Sequence, residues 1–163
     1  MPDIKPLVPD EWERLKKIRL AALQESPDAF LSTYDKENAF SDKEWQAEFD
    51  RGIWHVCTRS GRLIGLVGVT RERETPSDER FLEYIWVAPG SRREHVALEM
   101  VGAVLDDLRV AGVRTVYLWV LDGNEVAVLL YQRLGFVSTG RRQPIEARPG
   151  RTEEQMKLVF GGG

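Results

Sequence analysis

Residues 81–97, FLEYIWVAPGSRREHVA, constrain the fold more than any other stretch of the chain. From Phe81 to Val87, six of seven residues are apolar or aromatic, and Glu83 is the exception. A run this short, apolar on both alternating faces, predicts a central strand covered on both sides. Ala88-Pro89-Gly90-Ser91 must end it, because proline has no N–H for a ladder and glycine tolerates a turn. From Ala97 onward the apolar residues fall at helical spacing: Ala97, Met100, Val101, Val104, Leu105 and Leu108. A strand, a tight polar turn and a helix N-terminus make an anion site, since the first-turn N–H groups lack partners and the helix dipole favours negative charge. Arg92 and Arg93 lie in that turn and point to a phosphorylated ligand.

The flanking segments build outward from this unit. Residues 4–8 form a short first strand, and Asp10 is placed to cap a helix over residues 11–24. Ser26-Pro27-Asp28 breaks that helix, and residues 27–40 read as a loop or short helix folded onto the domain. Ser41 and Glu44 stand in capping-box positions ahead of a second helix bearing Trp45 and Phe49. Residues 53–59 and 62–71 pair as a hairpin around Ser60-Gly61. After the helix over 96–111, with Gly112 at its end, Thr115 to Leu121 forms a second central strand. Asn124 caps the next helix and Gly135 ends it. The last strands fall at 136–140 and 155–160, separated by a basic loop that begins RRQPIEARPGRT. The two central strands joined by one helix form a βαβ unit and must run parallel.

Composition limits the function classes. A chain of 163 residues fits one domain, here residues 1–160, with 161–163 (Gly-Gly-Gly) as a disordered tail. The net charge of −3 argues against nucleic acid as the main partner, because phosphate binding shows as a basic excess. One cysteine, Cys57, and two histidines, His55 and His95, leave neither a disulfide nor a metal site in view. No run reaches membrane-spanning length and the N-terminus lacks an apolar signal core, so the expectation is a cytoplasmic protein without membrane contact.

The 81–97 stretch resembles the acetyl-CoA loop of the Gcn5-related N-acetyltransferase (GNAT) superfamily, whose strand ends V-x-P and leads into [RQ]-x-x-G-x-[GA]. Val87-Ala88-Pro89, Arg92 and Ala97 match that pattern, whereas Arg93 and His95 stand where the family usually has glycine. A second stretch, Asn124 to Phe136, is similar to the family's N-x-x-A-x-x-x-Y-x-x-x-G-F through Asn124, Ala127, Tyr131, Gly135 and Phe136. The resemblance implies an α/β fold with a mixed, mostly antiparallel central sheet, helices on both faces and a splay at the two parallel strands. It further implies an acetyl-CoA acyl donor, no metal, a small-molecule or peptide amine as acceptor, and a monomer or homodimer.

The chemistry then assigns roles. The resemblance places coenzyme A against the backbone of Ile85, Trp86 and Val87, the loop Arg92, Arg93, Glu94, His95, Val96 and Ala97, and the helix residues Asn124, Ala127 and Tyr131. Tyr131 is implied as proton donor to the leaving sulfur, and Asn124, Ala127 and Tyr131 share one helical face. Glu83, expected to share a face with Ile85 and Val87, is the candidate base for the incoming ammonium, with pairing to an arginine such as Arg80 as its structural alternative. Phe30, Tyr34, Trp54, Trp86 and Trp119 are candidates to line an acceptor pocket walled by loops 27–40 and 141–153. A non-catalytic binding module of the same fold is the competing reading, and coenzyme A binding separates the two.

Overall fold

The computed structural model describes residues 2–161, apart from the side chains of Arg93 and Glu94. The roles expected of those two side chains and the disorder expected of Gly162 and Gly163 lie outside the described residues. Seven strands form one sheet: β1 (Asp3–Pro6), β2 (Gly52–Arg59), β3 (Arg62–Thr70), β4 (Glu79–Val87), β5 (Thr115–Leu121), β6 (Val137–Pro144) and β7 (Thr152–Val159). They are ordered β1-β2-β3-β4-β5-β7-β6. Helices α1 (Trp12–Glu25), α2 (Tyr34–Asn38), α3 (Asp42–Asp50), α4 (Val96–Val110) and α5 (Glu125–Leu134) complete the framework, with 3₁₀ turns at Pro27–Ala29 and Pro89–Glu94. The sheet is mixed and mostly antiparallel, as the sequence led us to expect.

Two core clusters lie on opposite faces of the sheet. Val67, Leu82, Met100, Val104, Leu118, Phe136 and Met156 fill the face under α4 and α5. Leu15, Ile18, Leu23, Trp54, Leu66 and Trp86 fill the face under α1. The indole of Trp54 lies across Gly68, where an added Cβ would meet the ring at 2.4 Å, so this close approach requires glycine.

Strand β4 carries the feature that shapes the site. It pairs with parallel β5 only through Glu79↔Thr115, Arg80↔Val116 and Phe81↔Tyr117, and beyond them the two strands part. The β3–β4 register shifts between Leu66 and Gly68, and Tyr84 opposite this bulge has φ +56°. A bulge bends its strand and resets side-chain alternation. Leu82, Ile85 and Val87 therefore all pack on the α4 face, while Tyr84 and Trp86 join the α1 face. Strict alternation had grouped Glu83 with Ile85 and Val87. The bulge between them corrects that grouping.

Elsewhere the local signals mostly hold. The capping box at Ser41 is complete, Asn124 Oδ1 accepts from the Ala127 N–H, and Gly135 closes α5 at φ +105°. Asp10 does not cap α1. It takes φ +75°, and Glu11 occupies the cap position with its carboxylate accepting from the Val8 N–H at 2.8 Å. The closing hairpin is longer than expected, since β6 runs on to Pro144 and β7 begins at Thr152.

Candidate active site

The parting of β4 and β5 opens a cleft of about 850 Å³. Ile85, Val87, Arg92, Ala97, Asn124, Ala127 and Tyr131 line it, so both ends of the sequence-predicted cofactor set meet there. Trp86, His95 and Val96 are not among its lining residues. Trp86 turns to the α1 face and donates its indole N–H to Glu25 at 2.9 Å. Past Phe81 and Tyr117 the two strand edges face each other without ladder bonds, which leaves backbone donors and acceptors for an extended ligand.

The loop at the head of α4 is wound as a 3₁₀ turn ending at His95, which takes φ +57° and ψ 22°. The His95 side chain makes no capping bond to α4, and the N-terminus of a helix favours an anion through its first-turn N–H groups and its dipole. His95 itself is exposed. Arg92 folds back: Nε donates to the Val87 carbonyl at 2.9 Å, and a terminal nitrogen reaches Ser26 Oγ at 2.6 Å and Glu25 at 3.2 Å. Its guanidinium thus ties the end of β4 to the end of α1. The helix terminus, the unpaired strand edges and the small Ala127 side chain fit a pantetheine-bearing nucleotide such as coenzyme A.

Tyr131 projects from α5 into the cleft, is buried, and packs edge-on against Phe136 at 5.9 Å between ring centroids. Burial pushes its phenol well above the usual tyrosine range, so the hydroxyl keeps its proton. Asn124 serves as the α5 cap and lines the cleft as well.

The α1-side wall is built on Arg19, which is 1% exposed. Its guanidinium contacts Glu37 at 2.7 Å, Glu48 at 2.8 Å and the Tyr84 hydroxyl at 2.8 Å, and lies over the Tyr84 ring at 3.9 Å. Glu37 also accepts from the Tyr84 hydroxyl. Desolvation raises the Glu37 carboxyl above its usual range, against the opposing pull of Arg19. Glu83 lies on this wall and pairs with Arg51 at 2.7 Å; Arg80, the partner weighed from sequence, instead donates to the Ser77 and Glu79 carbonyls. Phe30 and Trp119 line the cleft as expected, but Tyr34, Trp54 and Trp86 do not. Arg148 closes the far side by donating to the carbonyls of Phe30 at 2.8 Å, Ser32 at 3.3 Å and Pro27.

Sequence reasoning missed Glu153. It lies on β7, 5% exposed, and lines the same cleft. The missing signal was the extent of the strands: residues 141–144 of β6 and 152–154 of β7 read as loop, so the inward position of residue 153 was not visible. Among the described residues, no cluster of His, Cys, Asp and Glu could hold a metal ion, and no helix is long and apolar enough to cross a membrane.

Comparison with known proteins agrees with this geometry. The acetyltransferase (GNAT) family matches residues 13–136. An uncharacterised protein of Mycobacterium leprae is 30% identical over 148 residues, covering 86% of this chain and 39% of that protein. A mycothiol acetyltransferase of Brachybacterium faecium is 28% identical over 158 residues, covering 88% of this chain and 48% of its own. The chain therefore spans less than half the length of these two relatives. A GNAT-family acetyltransferase structure from Streptococcus pneumoniae superposes with a TM-score of 0.78 at 20% identity, covering 99% of this chain and 100% of that one. With the family match spanning most of the sequence and the same fold found in solved structures, the chain belongs to the GNAT acetyltransferase family.

Proposed function

We propose that this chain transfers an acetyl group from acetyl-CoA to the primary amine of a small molecule or peptide by direct attack of the amine. The observation that carries this reading is the splay of β4 from β5, with Tyr131 buried at its α5 side. Acetyl-CoA supplies the thioester carbonyl. The backbone of β4 from Ile85 to Val87 holds the pantetheine arm, and the N-terminus of α4 binds the pyrophosphate. Tyr131 keeps its proton at working pH and directs it at the departing sulfur. Arg92 holds the end of β4 in place, and Asn124 sets the start of α5 and hence the position of Tyr131.

A direct test combines calorimetry with a thiol-release assay. Coenzyme A is expected to bind, and a panel of primary amines to give acetylated products by mass spectrometry. Tyr131→Phe removes only the hydroxyl, so turnover should fall by about 10²–10⁴-fold while acetyl-CoA affinity changes little. Turnover within about twofold of the native protein, far below what a general acid contributes, would remove Tyr131 from the reaction.

A second reading draws on Arg92. Its guanidinium is already engaged by Val87, Glu25 and Ser26, and His95 occupies a backbone region that favours glycine. A non-catalytic module would show no coenzyme A binding at millimolar concentration and no acetylated product.

A further inference from the structure

Glu153 stands on β7 opposite Leu121 of β5 and Gln143 of β6. One oxygen, Oε1, accepts from the Gln143 amide at 2.5 Å. The other, Oε2, is buried and has no hydrogen-bond partner among the described residues. Nor does any described cation form an ion pair with this carboxylate, although the other deeply buried carboxylate of the cleft, Glu37, is held by Arg19. A buried carboxylate with an empty oxygen is rare, because the unmade bond is costly, and it needs an explanation beyond packing.

We propose that Glu153 receives the ammonium of the acceptor and takes up its proton, and that the acceptor is a primary amine carried on an apolar or aromatic body. This rests on the acetyl-transfer reading above. An ammonium supplies both the missing donor and the missing charge. A hydroxyl would supply only the donor, and an anionic acceptor would be repelled. The apolar body is indicated by Phe30, Phe81, Trp119 and Ile145, which share the cleft with Glu153.

The geometry separates the two proton transfers. Met156 and Leu158 of β7 pack on the α4 face with Tyr131, and alternation along β7 turns Glu153 to the opposite face. The amine approaches from that face while sulfur leaves toward α5. Of the ammonium's protons, the first goes to Oε2 of Glu153, freeing the nitrogen lone pair. The N–C bond to the thioester carbonyl forms and the C–S bond breaks. The second proton leaves the nitrogen and ends on sulfur through the Tyr131 hydroxyl, which is thereby restored. Glu153 then returns its proton to water, so the net products are an amide, a free thiol and one proton. Glu83 is the weaker candidate for this step because Arg51 already holds it. Burial also raises the Glu153 carboxyl above its usual range, against the pull of Gln143, which moves it toward the working pH of a base. The other charged groups near this end include Glu146, exposed on the connection to β7, Arg141, whose guanidinium lies over the Trp119 ring at 5.8 Å, Arg148, engaged by the carbonyls of Pro27, Phe30 and Ser32, Glu83 with Arg51 across the cleft, and Asp122 and Glu154, both held by Arg142.

Benzylamine and benzyl alcohol differ in charge but little in shape, and both can be titrated calorimetrically with and without coenzyme A. Benzylamine should bind the native protein better than benzyl alcohol does. Glu153→Gln should weaken benzylamine by about ten-fold or more, leaving benzyl alcohol and coenzyme A unchanged. With acetyl-CoA present, Glu153→Gln should lower kcat/KM for benzylamine by about 10²-fold at neutral pH, and the loss should shrink as rising pH supplies free amine. Glu83→Gln should not reproduce that pH dependence. Equal benzylamine affinity in the native protein and Glu153→Gln, or no preference of the native protein for the amine over the alcohol, overturns the ammonium site. A loss of kcat/KM that is constant with pH overturns the proton-accepting role. Benzylamine binding that depends on Glu153, without coenzyme A binding, would leave the ammonium site standing and reject the acetyl-transfer reading instead.

Discussion

A carboxylate buried without a cation leaves a mark on stability that can be read without any ligand. The folded-state pKa of Glu153 is raised by burial above its ordinary value of 4.5. The sign follows from linkage: a raised folded pKa means that the stability of the protonated form is fully present below about pH 4.5 and is lost as pH rises through the folded value. Glutamine keeps the shape and the bond to its neighbour but never ionises. Glu153→Gln should therefore raise the melting temperature at neutral pH, and the difference should vanish below about pH 4.5. Thermal scans at several pH values check this, and an advantage that persists at low pH would mean that charge is not its cause. Arg19 gives the opposite case. Arg19→Ala would strand Glu37, which is 1% exposed, without its cation and should cost about 3–5 kcal/mol in denaturant unfolding.

At the level of elements, the turn from β4 into α4 carries Arg93 and His95 where the resemblance implies glycine. His95 holds φ +57° at the N-cap of α4 and makes no capping bond there. A side chain in that region is strained, and glycine is not. Between His95→Gly and His95→Ala, the glycine variant should be the more stable by about 1 kcal/mol, since both remove the imidazole and only one relieves the backbone. Urea titrations of the pair decide it. Equal midpoints would show that the backbone there relaxes at no cost. This turn also shows what a sequence conveys and what it hides. Both motifs were legible because their residue types are dictated locally: Pro89 ends a strand, Asn124 caps a helix, and Gly135 adopts a conformation few residues tolerate. The bulge at Tyr84 was not legible, because the partner of its hydroxyl, Arg19, comes from a distant helix and no local residue pattern signals the positive φ. The second half of β6, from Arg141 to Pro144, was hidden for another reason. Nearly every one of its residues is exposed, so no apolar alternation marks it, and with it went the inward position of Glu153.

Across the whole molecule, Arg148 links segments far apart in the chain. Its guanidinium gathers the carbonyls of Pro27, Phe30 and Ser32, so the β6–β7 connection closes over the 3₁₀ turn that follows α1. Hydrogen bonds to a charged group contribute about 1.5–3 kcal/mol, and Arg148→Met should cost an amount in that range while freeing residues 27–32 to exchange their amide hydrogens faster. Unchanged exchange in that segment would mean that its own packing holds it.

The short β4–β5 ladder bears on how the chain opens as well as on what it binds. Only three residue pairs join the sheet of β1 to β4 to the sheet of β5, β7 and β6, whereas β2–β3 and β5–β7 are paired along their length. Cooperative units of unfolding tend to divide where pairing is thinnest. Two such units are expected here, one on each side of the cleft, with α4 packed across them. A ligand that bridges β4 and β5 would then fuse them into one, so that adding coenzyme A slows amide exchange throughout β5 and β7 and not merely at the residues it touches.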